Sequence, residues 1–191
     1  MEEVLTSPDA VVEMLLYALE LRNPDAVAHS YRVAELCIKL GQKLDLSEVE
    51  LTVLRRGALL HDIGRIGVPD RILNKDETLT DDDWEIIRRH PEYGAKLIKK
   101  APLLADTVQV VAFHHERWDG MGYPARLQED VIPLLARICG VAEVYDALVS
   151  DQVYRRAFPK LKALTLIEAD SGKAFDPTVV KMLVKILENT D

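Results

Sequence analysis

The chain has 191 residues, 48% of them hydrophobic, which is enough for one good-sized core and short for two. A net charge of -8 and a pI near 5.2 exclude a general binder of polymeric nucleic acid, because backbone phosphates are held by an excess of Lys and Arg. An anionic small ligand would need local positive charge, which bound metal ions can supply. Met1-Glu2-Glu3 is acidic and the apolar run Val11 to Leu21 is broken by Glu13 and Glu20, so neither a signal peptide nor a membrane span is written here. The expected protein is cytoplasmic and has no membrane partner. Cys37 and Cys139 lack Cys-x-x-Cys spacing and read as buried, reduced thiols.

Helical signals run the length of the chain. Pro8 opens an amphipathic helix carrying Val11, Val12, Leu15, Leu16 and Leu19, which stops near Arg22-Asn23-Pro24. A second is expected from about Asp25 to Leu44, with Val33, Leu36, Leu40 and Leu44 on one stripe. Ser47 and Glu50 form a capping-box pattern for a third that ends at His61-Asp62, where Gly64 and Gly67 let the backbone turn. Thr80 is an N-cap followed by Asp81, Asp82 and Asp83, acids that the helix dipole favours. Pro91 starts a short helix through Lys100, Pro102 one that reaches His114-His115, and Pro133 a long one through Asp146 to Val149. The last two follow Pro159 and the Asp176-Pro177 cap. No series of alternating strands is found. The expectation is an all-α, single-domain bundle of seven or eight helices.

The five histidines, His29, His61, His90, His114 and His115, fall at helix ends or beside carboxylates. Asp25 is one turn before His29, Asp62 follows His61, and Glu143 and Asp146 share a helical face. A mixed nitrogen and oxygen set without thiolates suits iron, manganese, zinc or another divalent first-row metal. A lone His-Asp pair is more often a satisfied core histidine beside a cap. Spacing alone leaves both readings open.

These residues together resemble the HD superfamily of metal-dependent phosphohydrolases. The segment His115-Glu116-Arg117-Trp118-Asp119-Gly120-Met121-Gly122-Tyr123-Pro124 resembles its HD-GYP branch, whose members hydrolyse the bacterial messenger cyclic di-GMP. Further matching stretches are His61 to Asp70, Ile72-Leu73-Asn74-Lys75, Arg89-His90-Pro91-Glu92 and Asp146-Ala147-Leu148-Val149-Ser150-Asp151. On this likeness residues 1–22 form an N-terminal helix of the same bundle and residues 23–191 the HD-GYP domain. The resemblance implies that His29, His61, Asp62, His90, His114 and His115 are metal ligands. Glu143 stands where the family usually has an aspartate ligand, and Asp25 where some members carry a carboxylate for a third metal. Arg65 takes the place of a usual lysine near the scissile phosphate. Asp146, Gln152 and Arg155 lie on the segment used around the active site and the substrate phosphate, and Gly120, Gly122, Tyr123 and Pro124 form the signature loop. Its glycines are expected to permit positive φ, and Pro124 to stiffen the exit.

The implied function is a cyclic di-GMP phosphodiesterase that yields linear pGpG, with onward hydrolysis to GMP left open, using two or three divalent ions, iron or manganese. A hydroxide bridging two ions would attack in line, with Asp62 and Arg65 as catalytic residues. The implied partners are cyclic di-GMP or a related cyclic dinucleotide and signalling proteins. Arg65, Glu143 and Gln152 depart from the family pattern: arginine is a planar fork rather than a point charge, glutamate is one methylene longer than aspartate, and glutamine is uncharged. These departures raise the alternative of a catalytically degenerate domain that serves as a binding or interaction module in the same signalling. An HD phosphohydrolase acting on another nucleotide is a third option, which the signature loop disfavours.

Overall fold

The computed structural model describes residues 7–73, 75, 77–151 and 156–188. The described residues are helical apart from turns and one isolated bridge between Ser171 and Phe175. In chain order the helices are α1 Pro8–Glu20, α2 Pro24–Lys43, α3 Glu48–Leu60, α4 Asp70–Leu73, α5 Asp81–Ile87, α6 His90–Ile98, α7 Val108–Phe113, α8 Leu134–Val149, α9 Lys160–Ala169 and α10 Pro177–Glu188. The all-α expectation holds. The count exceeds seven or eight partly because Asp70–Leu73 adds a single turn. The run expected to be one helix from Pro102 is a 3-10 segment, Pro102–Thr107, that passes into α7.

The caps lie where the sequence placed them. Ser7 accepts from the Ala10 amide at 3.2 Å and Asn23 from that of Ala26 at 3.0 Å. Ser47 and Glu50 cap each other reciprocally, as do Thr80 and Asp83. Each such cap contributes on the order of 1 kcal/mol by satisfying amides that the first helical turn leaves unpaired.

One core joins the long helices. Val33, Cys37 and Leu40 of α2 are fully buried against Leu54, Ala58 and Leu60 of α3 and Ile138, Cys139 and Ala142 of α8. Val12, Leu16 and Leu19 of α1 enter the same core, as do Val179, Val180 and Leu183 of α10. Each large side chain buried there contributes roughly 1.5–3 kcal/mol. Arg22, just past α1, donates to the carbonyls of Ile66 and Val68 and so pins the segment that follows the His61-Asp62 pair. The packing thereby brings the C-terminal ends of α3, α5 and α7 to one place. Among the described residues no helix is long and apolar enough to cross a membrane.

Candidate metal centre

His61 and His114 cap the C-termini of α3 and α7, and His90 opens α6 three residues after α5 ends, so each ring reaches a last-turn carbonyl that lacks an intrahelical donor. His61 Nδ1 lies 2.7 Å from the Ala58 carbonyl oxygen, His90 Nδ1 2.8 Å from that of Ile87, and His114 Nδ1 3.0 Å from that of Val111. A carbonyl can only accept, so each Nδ1 carries the proton and each Nε2 keeps its lone pair. His29 reaches the same tautomer through a side chain, its Nδ1 standing 2.7 Å from Asp146 Oδ2. Arg32 in turn donates to Asp146 from Nε at 2.8 Å and Nη2 at 2.9 Å. A donor on one ring nitrogen fixes the imidazole and makes the other nitrogen a better ligand.

The free nitrogens converge. The ligand atoms of His90, His114 and His115 all lie within 4.8 Å of one another, and so do those of His29, His61 and Glu143. His90 Nε2 and His114 Nε2 are 3.2 Å apart. Imidazoles about 2.1 Å from one ion, at tetrahedral or octahedral angles, have nitrogens roughly 3.0–3.4 Å apart, so these two stand as neighbouring ligands would. Asp62 lies between the groups, with Oδ1 3.2 Å from His90 Nε2 and Oδ2 3.5 Å from His61 Nε2.

The donor set fits divalent cations. His61 Nε2, both carboxylate oxygens of Asp62 and Glu143 Oε2 are buried without a hydrogen-bond partner. Such atoms are costly to bury unless a cation satisfies them. Burial pushes the His61 imidazole down to about 4 and lowers those of His90, His114 and His115, which keeps these rings in the neutral form that ligates. Burial and the Asp62 charge push Glu143 up to about 8, a penalty that a bound cation would reverse. Burial opposes ionisation of Asp62 as well, yet the Arg65 guanidinium holds its carboxyl well below the usual range. Arg65 Nε is 2.8 Å from Asp62 Oδ1, close in charge but not aligned as a hydrogen bond.

The signature loop covers this centre. Glu116 is buried and accepts from the amides of Ala125 at 2.6 Å and Leu127 at 3.0 Å, which closes the loop on itself. The Tyr123 ring stacks on His115 with centroids 4.8 Å apart, and the Tyr123–Pro124 peptide is cis. Burial, then the charges of Glu143 and Asp62, raise the Tyr123 phenol, so it stays a donor. Gly120 has φ +75 as expected, but Gly122 does not adopt positive φ. Gly122 is needed for close approach instead: a Cβ there would lie 2.4 Å from the Arg117 amide nitrogen.

Other expected residues lie elsewhere. Asp25 is exposed in the first turn of α2, outside both three-residue groups. Asp146, expected on the segment around the active site and the substrate phosphate, stands beside the centre and gives its carboxylate to His29 and Arg32. Gln152 and Arg155 fall outside the described residues. Sequence reasoning missed Arg32 and Glu116, although Arg32 is three residues after His29 on one helical face and Glu116 adjoins His115.

The HD domain family model matches residues 13–179. The chain belongs to the HD domain family. Among curated relatives it is similar to the cyclic di-GMP phosphodiesterase of Thermotoga maritima, 38% identical over 178 residues, which cover 92% of this chain and 48% of the relative. It is also similar to the 3'3'-cGAMP-specific phosphodiesterase 2 of Vibrio cholerae, 35% identical over 177 residues, covering 92% of this chain and 34% of that protein. The chain therefore spans half the length, or less, of these relatives. Among solved structures, the HDG"Y"P protein Bd1817 from Bdellovibrio bacteriovorus shares the fold, with a TM-score of 0.69 at 23% identity over 94% of this chain and 62% of that one. These matches and the Gly122-Tyr123-Pro124 loop place this HD domain in the HD-GYP branch. HD-domain phosphohydrolases depend on metals, and the two histidine and carboxylate groups are where this chain could hold them.

Proposed function

We propose that this HD-GYP domain is a cyclic di-GMP phosphodiesterase that opens its substrate to linear pGpG. The observation that carries the reading is Asp62, a buried carboxylate standing between two converging groups of histidine and carboxylate ligand atoms. His29, His61 and Glu143 would hold one divalent ion, His90, His114 and His115 a second, and Asp62 would be shared; iron or manganese suits these ligands. Ions so held would supply the Lewis acidity that activates water and offsets phosphate charge. Asp25, one turn before His29, is the candidate carboxylate for a third.

The chain's own residues supply the rest. Arg65 carries a fixed charge beside the centre and offsets charge on the equatorial phosphate oxygens as they become electron-rich. Tyr123, held protonated by burial, presents a hydroxyl donor from the covering loop. Gly120, Gly122 and Pro124 shape that loop against the His115 backbone and close the centre from one side. Gln152 and Arg155 are assigned to the substrate phosphate on family resemblance alone.

The Arg65 contact also favours a second reading, a domain that binds the dinucleotide and signalling proteins without turnover, because a guanidinium already leans on the carboxylate that the ions would share. The test is protein loaded with Mn²⁺, or with Fe²⁺ under anaerobic conditions, incubated with cyclic di-GMP and followed by chromatography for pGpG and GMP. Turnover that disappears on chelation supports the enzyme. Tight binding with no product under either metal overturns it in favour of the second reading.

A further inference from the structure

Several arginines around the centre are taken up by carboxylates. Arg65 Nε stands 2.8 Å from Asp62 Oδ1, Arg32 Nε 2.8 Å from Asp146 Oδ1, and on the signature loop Arg117 Nη2 2.7 Å from Asp119 Oδ2. Arg88 is different. It caps the C-terminus of α5, two residues before His90, and it is exposed and forms no ion pair among the described residues. Its backbone is held by the turn that places a metal ligand: the Arg88 amide donates to the Trp84 carbonyl at 2.9 Å, and His90 Nδ1 lies 2.8 Å from the Ile87 carbonyl oxygen. The guanidinium carbon is 6.0 Å from the centroid of the Tyr123 ring, which stacks on His115 with centroids 4.8 Å apart. The charge is felt at that ring. Burial and then the charges of Glu143 and Asp62 raise the Tyr123 phenol, and Arg88 opposes them more strongly than Arg65 does.

We propose that Arg88 binds the second, non-scissile phosphate of the cyclic dinucleotide, beside Tyr123 at the rim of the centre; the assignment rests on the phosphodiesterase reading. Two phosphodiesters close the ring of such a substrate, and the metal ligands would serve one of them. The other reaches a protein of net charge -8 as a second anion and needs a cation of its own. Arg65 leans on the carboxylate that the ions would share, so its charge belongs to the scissile phosphate. Arg88 has no carboxylate to answer, and a guanidinium offers two parallel N–H donors to two phosphate oxygens. Ring contacts of 4.8 Å and 6.0 Å lead from His115 through Tyr123 to Arg88, a span that the sugar–phosphate ring of one dinucleotide bridges.

Arg88→Met removes the charge and keeps much of the side chain's length, whereas Arg88→Lys keeps a charge and loses the fork. The experiment measures kcat and KM of the Mn²⁺-loaded parent and both variants on cyclic di-GMP, which has two phosphodiesters, and on bis(p-nitrophenyl) phosphate, which has one. Melting temperature and metal content are read on each preparation. Arg88→Met should raise KM for cyclic di-GMP about tenfold with kcat changed by less than about twofold, and its loss of kcat/KM should be about tenfold greater on cyclic di-GMP than on the single diester. Arg88→Lys should recover most of that loss, since the ammonium still meets the phosphate as a point charge. A loss of the same size on both substrates would mean that Arg88 acts through Tyr123 or His90, and an unchanged KM would mean that the second phosphate does not meet it; either overturns the assignment. Should Arg88→Met melt early or lose metal, Arg88→Gln is judged by the same ratio. Turnover with an Arg88-independent KM removes the site and leaves the phosphodiesterase. If the parent turns over neither substrate, the phosphodiesterase reading fails and calorimetric binding of cyclic di-GMP decides the site by itself: a Kd about tenfold weaker in Arg88→Met supports it, and an equal Kd or no binding by the parent overturns it.

Discussion

Gly64→Ala tests whether the fold and the metal centre are one object. Gly64 sits two residues after Asp62 in the 3-10 turn Ile63–Gly67 and packs on the start of α6. A Cβ there would lie 1.9 Å from the His90 carbonyl oxygen and 2.5 Å from the Gly94 amide nitrogen. Both neighbours are backbone, so neither can swing aside. Relieving the clash to the 3.0 Å limit that real Cβ contacts respect needs a separation of about 1 Å between the turn and α6. Those two elements carry Asp62 and His90, whose Oδ1 and Nε2 are 3.2 Å apart. Overpacking typically costs about 1–3 kcal/mol, and rigid backbone on the far side puts this substitution at the upper end. At about 2–4 °C per kcal/mol for a chain of this size, Tm should fall by roughly 6–12 °C. A misplacement of about 1 Å also costs on the order of 10²-fold in rate. Thermal unfolding with and without Mn²⁺, together with a calorimetric metal titration, reads both effects. A variant with Tm within about 2 °C of the parent and unchanged metal affinity would refute the claim that close backbone approach at Gly64 sets the Asp62–His90 spacing.

The remaining predictions concern the ligands and the groups that hold them. Asp62→Ala should lose bound metal and activity together, since its carboxylate is the one both groups approach; full metal occupancy by elemental analysis would remove it from the centre. Asp146→Ala should weaken metal binding about 10–100-fold in a calorimetric titration, with Arg32→Ala acting in the same direction, because His29 loses the acceptor that fixes its ring or the arginine that holds that acceptor in place. An unchanged isotherm would leave Asp146 to the substrate phosphate. Glu143→Asp should tighten metal retention against a chelator, while Arg65→Lys should raise kcat more than it changes KM if the charge acts mainly in the transition state. If Arg65→Lys instead abolishes a robust activity, arginine is an adapted feature of this chain.

Much of this was legible because the relevant signals are local. Pro24, Pro91, Pro177 and the Ser47 and Thr80 caps fix helix starts within a few residues, and His61 and His114 stand at the helix ends they terminate. Long-range pairing was not legible. Asp146 and Arg32 are 114 positions apart, and nothing near either residue announces that one carboxylate will hold both an arginine and His29. The error at Gly122 has a similar origin, since a glycine required by a neighbouring backbone looks in sequence like one required by its own φ. The run after Pro102 reads as one helix from its apolar pattern, whereas the first turns tighten to 3-10 before α7 begins.

The anchoring of the histidines explains how a centre drawn from so many helices stays in register. His61, His90 and His114 each donate from Nδ1 to a carbonyl three residues earlier, in the last turn of the preceding helix. Turning any of these rings would leave a buried carbonyl unpaired, at a cost of about 1–3 kcal/mol, so the direction of each Nε2 follows from where its helix stops. A shift of α3, α5 or α7 therefore moves a ligand directly, with no flexible side chain between them. His29 and Glu143 differ, because the first depends on the Asp146 carboxylate and the second on its own rotamer. That asymmetry fixes His61, His90 and His114 through the backbone and leaves the adjustability to His29 and Glu143, in the group where the longer carboxylate of this chain has to be accommodated.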